Sequence, residues 1–173
     1  VLVVHRGIVR LIKNTNYVTI TEEDVFLQAS TVSFDAATFE IWGALLNGAK
    51  LVLMPPHQPS LDELGETIQN QKVTTLWLTA GLFTVMVDHK VEYLRGVRQL
   101  LVGGDVVSAS HVRRVLSLGG TTVINGYGPT ENTTFTCCNP VTELPESVNS
   151  FPIGRPISNT TVYVLDKHQQ PVP

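Results

Sequence analysis

Short apolar runs alternate with stretches of helical period through most of this chain. The runs are Val1–Val4, Asp24–Ser30, Ala49–Met54, Val73–Leu78, Val97–Val102 and Thr121–Ile124. Between them lie His5–Asn16, Ser33–Leu46, Leu61–Gln71, Thr79–His89 and Ser108–Leu118. In the first of these, Ile8, Val9, Leu11 and Ile12 form an apolar stripe with basic residues between, the mark of a half-buried helix. In the last, Val112, Val115 and Leu116 point inward, while His111, Arg113 and Arg114 make a wet face. Punctuation agrees with the periods: Ser60 and Ser33 stand where N-caps belong, Asn47-Gly48 ends a helix, and Pro55-Pro56 stops a strand. Strands alternating with helices predict an α/β fold, a layered sheet with helices on its faces. After Cys138 the pattern changes. Asn139–Ser150 reads as loop, Phe151–Ile157 is short and broken by proline, and Thr160–Asp166 alternates like a strand, so a smaller β-rich region is expected at the C-terminal end. No internal repeat, low-complexity segment or domain linker interrupts the chain.

A length of 173 residues with 43% hydrophobic and 16% charged residues suits one sizeable core. Net charge is −3, from 12 basic and 15 acidic residues. No basic block is present, which excludes an electrostatic footprint for nucleic acid. No apolar run approaches a membrane span, and Val1–Val4 is too short and lacks the basic flank of a signal peptide. Cys137 and Cys138 are adjacent, a poor disulfide framework; reduced thiols in a strand fit a cytoplasmic protein. The chain starts without Met and stops at Pro171-Val172-Pro173, so it is read as a piece of a longer protein.

Chemistry concentrates in Asn125-Gly126-Tyr127-Gly128-Pro129-Thr130-Glu131, between the Thr121–Ile124 run and the β-rich Asn132–Cys138. Two glycines and a proline make a tight loop there. It carries an amide, a phenol, a hydroxyl and a carboxylate. A ring can stack on a base, a hydroxyl can bond a phosphate, and a carboxylate can hold Mg²⁺. Together these suit a nucleoside triphosphate. Gly103-Gly104 at the end of another strand would let a ligand approach the backbone closely. In open α/β sheets ligands bind beyond the carboxyl ends of the strands, so these stretches and the helix beginning near Ser33 can surround one crevice. Asp35 in the first turn of that helix is favoured by the helix dipole whatever its function. Asp35, Ala36 and Phe39 also share a helix face, where a carboxylate beside a small gap and an aromatic wall can hold an ammonium next to an apolar group.

The heptapeptide closely resembles the adenine- and Mg²⁺-binding motif of adenylate-forming enzymes, in the form found in amino-acid adenylation domains of nonribosomal peptide synthetases. Phe34-Asp35 resembles the substrate-amine motif of the same domains, and the likeness covers essentially the whole chain. The resemblance implies the central part of the large N-terminal subdomain, residues 1–173 being a partial adenylation domain. Absent would be the phosphate loop expected before Val1, an acidic ribose-binding residue expected beyond Pro173, and the C-terminal subdomain with its lysine. It implies ATP-dependent conversion of an amino acid to aminoacyl-AMP, with Mg²⁺, followed by transfer to the phosphopantetheine thiol of a peptidyl carrier domain beside condensation domains. By the same resemblance Tyr127 stacks on adenine, Asn125 bonds its exocyclic amine, and Gly104, Gly126 and Gly128 lie against the nucleotide. Thr130 contacts the α-phosphate, Glu131 holds Mg²⁺, Asp35 binds the substrate ammonium and Phe34 gates the site.

The pocket positions of such domains fall on Asp35, Ala36, Phe39, Trp77, Leu101, Gly103, Gly126, Thr134 and Phe135. Only Asp35 is charged, so a charged side chain would be buried without a partner. Phe39, Trp77 and Phe135 should shorten the pocket, and Ala36, Gly103 and Gly126 should leave width near the substrate's Cβ. Short and wide suits a β-branched aliphatic side chain; the set also resembles that of valine-activating domains, with isoleucine second. The competing readings are an acyl- or aryl-CoA ligase of the same superfamily, which needs no carboxylate facing an ammonium, and a nucleotide-binding module without catalysis. The same residues could also be ordinary core.

Overall fold

The computed structural model describes residues 1–172. A seven-stranded sheet runs in the order β2-β1-β3-β4-β5-β6-β7. Its strands are β1 Val25–Gln28, β2 Lys50–Leu53, β3 Thr75–Thr79, β4 Gln99–Gly103, β5 Thr122–Tyr127, β6 Cys137–Val141 and β7 Arg155–Pro156. The first five pair in parallel, and β6 and β7 join antiparallel. Helices α1 His5–Ile12, α2 Ala36–Leu45, α3 Leu61–Asn70, α4 Ala80–Lys90 and α5 Ala109–Leu116 cover it. A parallel pair needs a crossover, and the helical stretches between the runs supply it. The α/β fold expected from the alternation is therefore the one observed.

Local chemistry explains the helix starts. Ser60 accepts from the Glu63 N–H at 3.2 Å and Glu63 Oε2 accepts from the Ser60 N–H at 2.7 Å, a reciprocal cap on α3. Thr79 closes β3 and caps α4, accepting from the Leu82 N–H at 3.2 Å. Ser33 does not cap α2. Its hydroxyl lies 2.9 Å from that of Thr31, and Asp35 takes the cap position without a side-chain bond. A Thr–Ser turn has captured the hydroxyl that the helix would have used.

Alternate residues of the strands feed two cores. On one face Leu76, Leu78, Leu100, Val102 and Val123 pack against α3, α4 and α5. On the other, Trp77, Leu101 and Ile124 pack with Leu11 and Ile12 of α1 and Ala36 and Phe39 of α2. Asp24, only 2% exposed, ties the start of β1 to the sheet. It accepts from Arg98 at 2.7 Å, Thr74 Oγ1 at 2.6 Å and the Thr21 N–H at 2.9 Å.

Four sequence expectations need correction. Val1–Val4 forms no strand: among the described residues no neighbour offers it a ladder, and all four are exposed. Asn125-Gly126-Tyr127 is not loop but the end of β5, paired with β4 on one side and β6 on the other. Asn139–Val141 is likewise strand, not loop, because β6 continues antiparallel along β5. Of Thr160–Asp166 only Val164–Leu165 is a strand (β8), paired with Pro171–Val172 (β9) in a separate two-stranded ribbon.

Candidate nucleotide and substrate site

Register aligns the carboxyl ends of the central strands. Thr79 pairs with Gly103, and Gly103 with Gly126. No side chain separates β4 from β5 at that level: a Cβ on Gly103 would fall 2.1 Å from the Gly126 carbonyl oxygen. Beyond the edge, Gly104 turns the chain with φ +82°, and a Cβ there would meet nothing within 4 Å. Gly104 thus opens a space, whereas Gly103 fills one with backbone.

A cleft of about 500 Å³ lies over this edge, walled by Gly104–Val107, Asn125–Gly128 and Ser150–Ile153. Asn125 is 5% exposed and its amide donates to the Phe151 and Pro152 carbonyls at 2.9 and 3.0 Å. Both bonds use Nδ2, which leaves Oδ1 as an acceptor for an amine. The Tyr127 ring is half exposed and free to stack. Asn125, Tyr127, Gly128 and Gly104 of the expected nucleotide set therefore meet in one cleft.

After Pro129 the chain makes a 3₁₀ turn, Thr130–Asn132. Thr133 and Thr134 follow with φ +56° and +63°, left-handed conformations that β-branched residues rarely adopt. Thr130, Thr134, Phe34 and Asp35 line a cavity of about 210 Å³ together with Ser33 and Thr38. Thr134 Oγ1 donates to the Asp35 carbonyl at 2.9 Å, joining the loop to the start of α2. The residues expected at the phosphate and at the substrate ammonium are thus neighbours. Exposed Glu131 lies round the turn, in a larger opening shared with Arg6, Arg10 and Lys13.

The remaining expected pocket residues are closed together. Ala36, Phe39, Leu101 and Phe135 are at most 3% exposed. Phe39 and Phe135 rings sit 5.7 Å apart, with Tyr17 edge-on to Phe135 at 5.8 Å. Trp77 is buried beneath half-exposed Phe34, their rings 5.7 Å apart, and both line a further cleft of about 400 Å³. The expectation that Gly103 and Gly126 leave width is corrected. The Cβ direction of Gly103 is taken by backbone and that of Gly126 by the Phe135 ring, 2.6 Å away. These glycines admit protein, not ligand.

Two polar residues at the site escaped sequence reasoning. Glu40 is 1% exposed and accepts from the Ser30 N–H at 3.1 Å and the Ser30 hydroxyl at 2.9 Å. Burial, only partly offset by those bonds, pushes its carboxyl up to about 7. It is the one charged residue within Ala36–Leu45, which was a readable signal. Arg10 donates to the Asn132 carbonyl at 2.5 Å and to that of Thr133 at 3.3 Å. Nothing in the α1 pattern marked it among its basic neighbours. Cys137 and Cys138 are free and buried, and burial raises both thiols, as expected of inert structural cysteines.

Among the described residues no cluster of three or more His, Cys, Asp or Glu could hold a metal. A single exposed carboxylate fits Mg²⁺, which keeps several waters and takes one or two carboxylates plus phosphate oxygens. None of the helices described is long and apolar enough to cross a membrane.

Residues 1–173 match the family model described as AMP-binding enzyme. The chain is 85% identical over its full length to one component of the linear gramicidin synthase of Brevibacillus parabrevis, and 78% identical over 172 residues to another component of that synthase. It spans only 2% and 3% of those relatives. Among solved structures, 98% of the chain superposes with TM-score 0.92 and 45% identity on 30% of holo-PA1221, an NRPS protein containing adenylation and PCP domains bound to a vinylsulfonamide inhibitor. All of it superposes with TM-score 0.90 and 34% identity on 45% of the Klebsiella oxytoca NpsA N-terminal subdomain in complex with 3-hydroxyanthranilyl-AMSN. The chain belongs to the AMP-binding enzyme family, among the adenylation domains of nonribosomal peptide synthetases.

Proposed function

We propose that this chain is the nucleotide- and amino-acid-binding heart of a domain that activates an amino acid as aminoacyl-AMP. The observation that carries the reading is the shared cavity of Thr130 and Asp35, beside the cleft of Asn125 and Tyr127. In the reaction a carboxylate oxygen of the amino acid attacks the α-phosphorus of ATP, and the bond to pyrophosphate breaks. Little covalent work falls to the protein; it must align two anions and offset their charge.

Each residue then has a task. Tyr127 stacks on adenine and Asn125 Oδ1 accepts from its exocyclic amine. Gly104 opens space beside the nucleotide, while Gly126 and Gly128, whose Cβ directions are filled by protein, bring backbone to the wall of the same cleft. Thr130 donates to the α-phosphate. Glu131 holds Mg²⁺, which when bound neutralises phosphate charge. Asp35 pairs with the substrate ammonium, and Phe34 covers the site. Below them Ala36, Phe39, Trp77, Leu101, Gly103, Thr134 and Phe135 bound an uncharged floor. That floor favours a small aliphatic side chain, valine first and isoleucine second, with short reach set by the tilted Phe39–Phe135 ring pair. The relatives containing a PCP domain support delivery of the aminoacyl group to a carrier phosphopantetheine thiol; condensation domains in the same synthetase are part of the proposal.

The NpsA complex favours one alternative, an aryl-acid substrate. Asp35 speaks against it, because an aryl carboxylate would leave that carboxylate in a cavity without a cationic partner. ATP–pyrophosphate exchange by the full-length adenylation domain decides: exchange dependent on an amino acid supports the proposal. Dependence on an aryl acid, or none on any acid, refutes it.

A further inference from the structure

Resting on the reading just given, we propose that Arg10 is a positioning residue: its guanidinium holds Thr133 and Thr134 in their left-handed backbone and thereby fixes the loop that carries Thr130, Glu131 and Phe135. Four observations converge. The two threonines are consecutive β-branched residues at φ +56° and +63°. Such residues persist in that region only where the surroundings over-determine them. Arg10 Nη2 donates to the carbonyls of Asn132 and Thr133, at 2.5 and 3.3 Å, and Nη1 donates to Thr160 Oγ1. Gly7, one helical turn before Arg10 and on the same face of α1, brings the helix against Thr133: a Cβ on Gly7 would lie 2.5 Å from Thr133 Oγ1.

The charge is committed to this task. Among the described residues no carboxylate lies within ion-pair distance of Arg10. Its hydrogen bonds go instead to carbonyls and a hydroxyl, and charge-assisted bonds of this kind are stronger than neutral ones. The loop's own bonds are local. The Thr133 N–H reaches the Thr130 carbonyl at 3.0 Å, and the Phe135 N–H the Thr133 carbonyl at 2.9 Å. Those bonds shape the turn without anchoring it to the rest of the fold. Arg10 from α1 and the Thr134–Asp35 bond at the start of α2 supply its polar anchors, beside the buried Phe135 ring. A planar fork can hold two successive carbonyls and a hydroxyl at once, which a lysine ammonium on a flexible stem does less well.

The test uses the full-length adenylation domain with Arg10→Ala, Arg10→Lys, Thr133→Gly and the Arg10→Ala/Thr133→Gly pair. Amide hydrogen exchange at residues 132–135 is measured without ligand. The Mg²⁺ concentration for half-maximal ATP–pyrophosphate exchange is measured alongside. Arg10→Ala speeds amide exchange there at least tenfold and raises the Mg²⁺ requirement at least threefold; Arg10→Lys falls between. Glycine adopts the left-handed region without steric cost, so in the Thr133→Gly background the Arg10→Ala effect is less than half as large on a logarithmic scale. Unchanged amide exchange, a lowered melting temperature with an unchanged Mg²⁺ requirement, or fully additive effects would each overturn the assignment. If the unaltered domain shows no amino-acid-dependent exchange, the proposed function fails, and the amide data alone still decide the role of Arg10.

Discussion

Replacing Glu40 by Gln isolates the cost of a carboxylate buried on α2. In the folded chain burial pushes its carboxyl from an ordinary 4.5 up to about 7, and the Ser30 bonds pull back only partly. The folded state therefore binds the proton more tightly than the unfolded state. Below about pH 4.5 both states are protonated and no penalty exists. Between there and about pH 7 the unfolded chain ionises first, so stability falls as pH rises, and above that the loss is complete. At 1.36 kcal/mol per pKa unit, a rise from 4.5 to about 7 is a loss of about 3 kcal/mol. Glutamine keeps a carbonyl to accept from Ser30 and carries no charge. Urea unfolding of the full-length adenylation domain and its Glu40→Gln variant, followed from pH 5 to 8.5, reads the difference. The variant gains on the parent by up to about 3 kcal/mol across that window, most of it between pH 5 and 7.5. Parallel stability curves would mean that Glu40 titrates as an ordinary carboxylate, and the reasoning from its burial would be wrong.

Asp24 titrates in the opposite direction. Burial alone would raise its carboxyl, but bonds from Thr74, Arg98 and Thr21 outweigh it and hold the group below 3.8. Its contribution is therefore present above the ordinary carboxylate range and lost as pH falls below 3.8 through the depressed value. Asp24→Asn costs about 1–3 kcal/mol in urea unfolding at pH 7, since donors from Arg98, Thr74 and Thr21 lose a charged acceptor. Gly103→Ala drives a methyl into the Gly126 carbonyl, so the β4–β5 pair must spread. A stability loss of about 1–3 kcal/mol is expected, with weakened nucleotide binding, and an unchanged urea midpoint would contradict it. Asp35→Ala leaves the substrate ammonium without a partner, which typically costs about 2–5 kcal/mol. Amino-acid activation falls at least roughly tenfold; unchanged kinetics would reduce Asp35 to its place at the start of α2.

Much of this was legible because periodicity reports burial directly. The central strands of the parallel sheet could be read from their apolar runs because both their faces are buried, as in Leu100–Val102. Ser60 announced α3 because its capping partner Glu63 stands three residues on. What could not be read depended on partners distant in sequence. Asn125–Tyr127 is strand because β4 and β6 lie on either side of it, and Val1–Val4 is irregular because nothing described does. Ser33 lost its cap to a neighbouring hydroxyl. In the candidate site, the residues proposed for the nucleotide could be picked out because their chemistry sits in one heptapeptide. Arg10 could not, since it acts on backbone that the fold brings to it from 122 positions away, at Asn132; Glu40 stood out as the lone charge of α2, but its partner Ser30 did not. The glycines misled: a missing side chain reads as free space in a sequence, but packing filled that space with the Gly126 carbonyl and the Phe135 ring.

The central claim is that Asp35 recognises an ammonium while the neighbouring Thr130 meets the phosphate of the same reaction. The most direct measurement compares L-valine with 3-methylbutanoate, the same acid without the amine, in ATP–pyrophosphate exchange by the full-length adenylation domain. Valine supports exchange, isoleucine follows, and 3-methylbutanoate falls short of valine by at least roughly tenfold, because it leaves the Asp35 carboxylate unpaired. In the Asp35→Ala variant that gap closes. Equal exchange with valine and 3-methylbutanoate in the unaltered domain, or a preference for Phe, Asp or Lys over valine, would contradict the account.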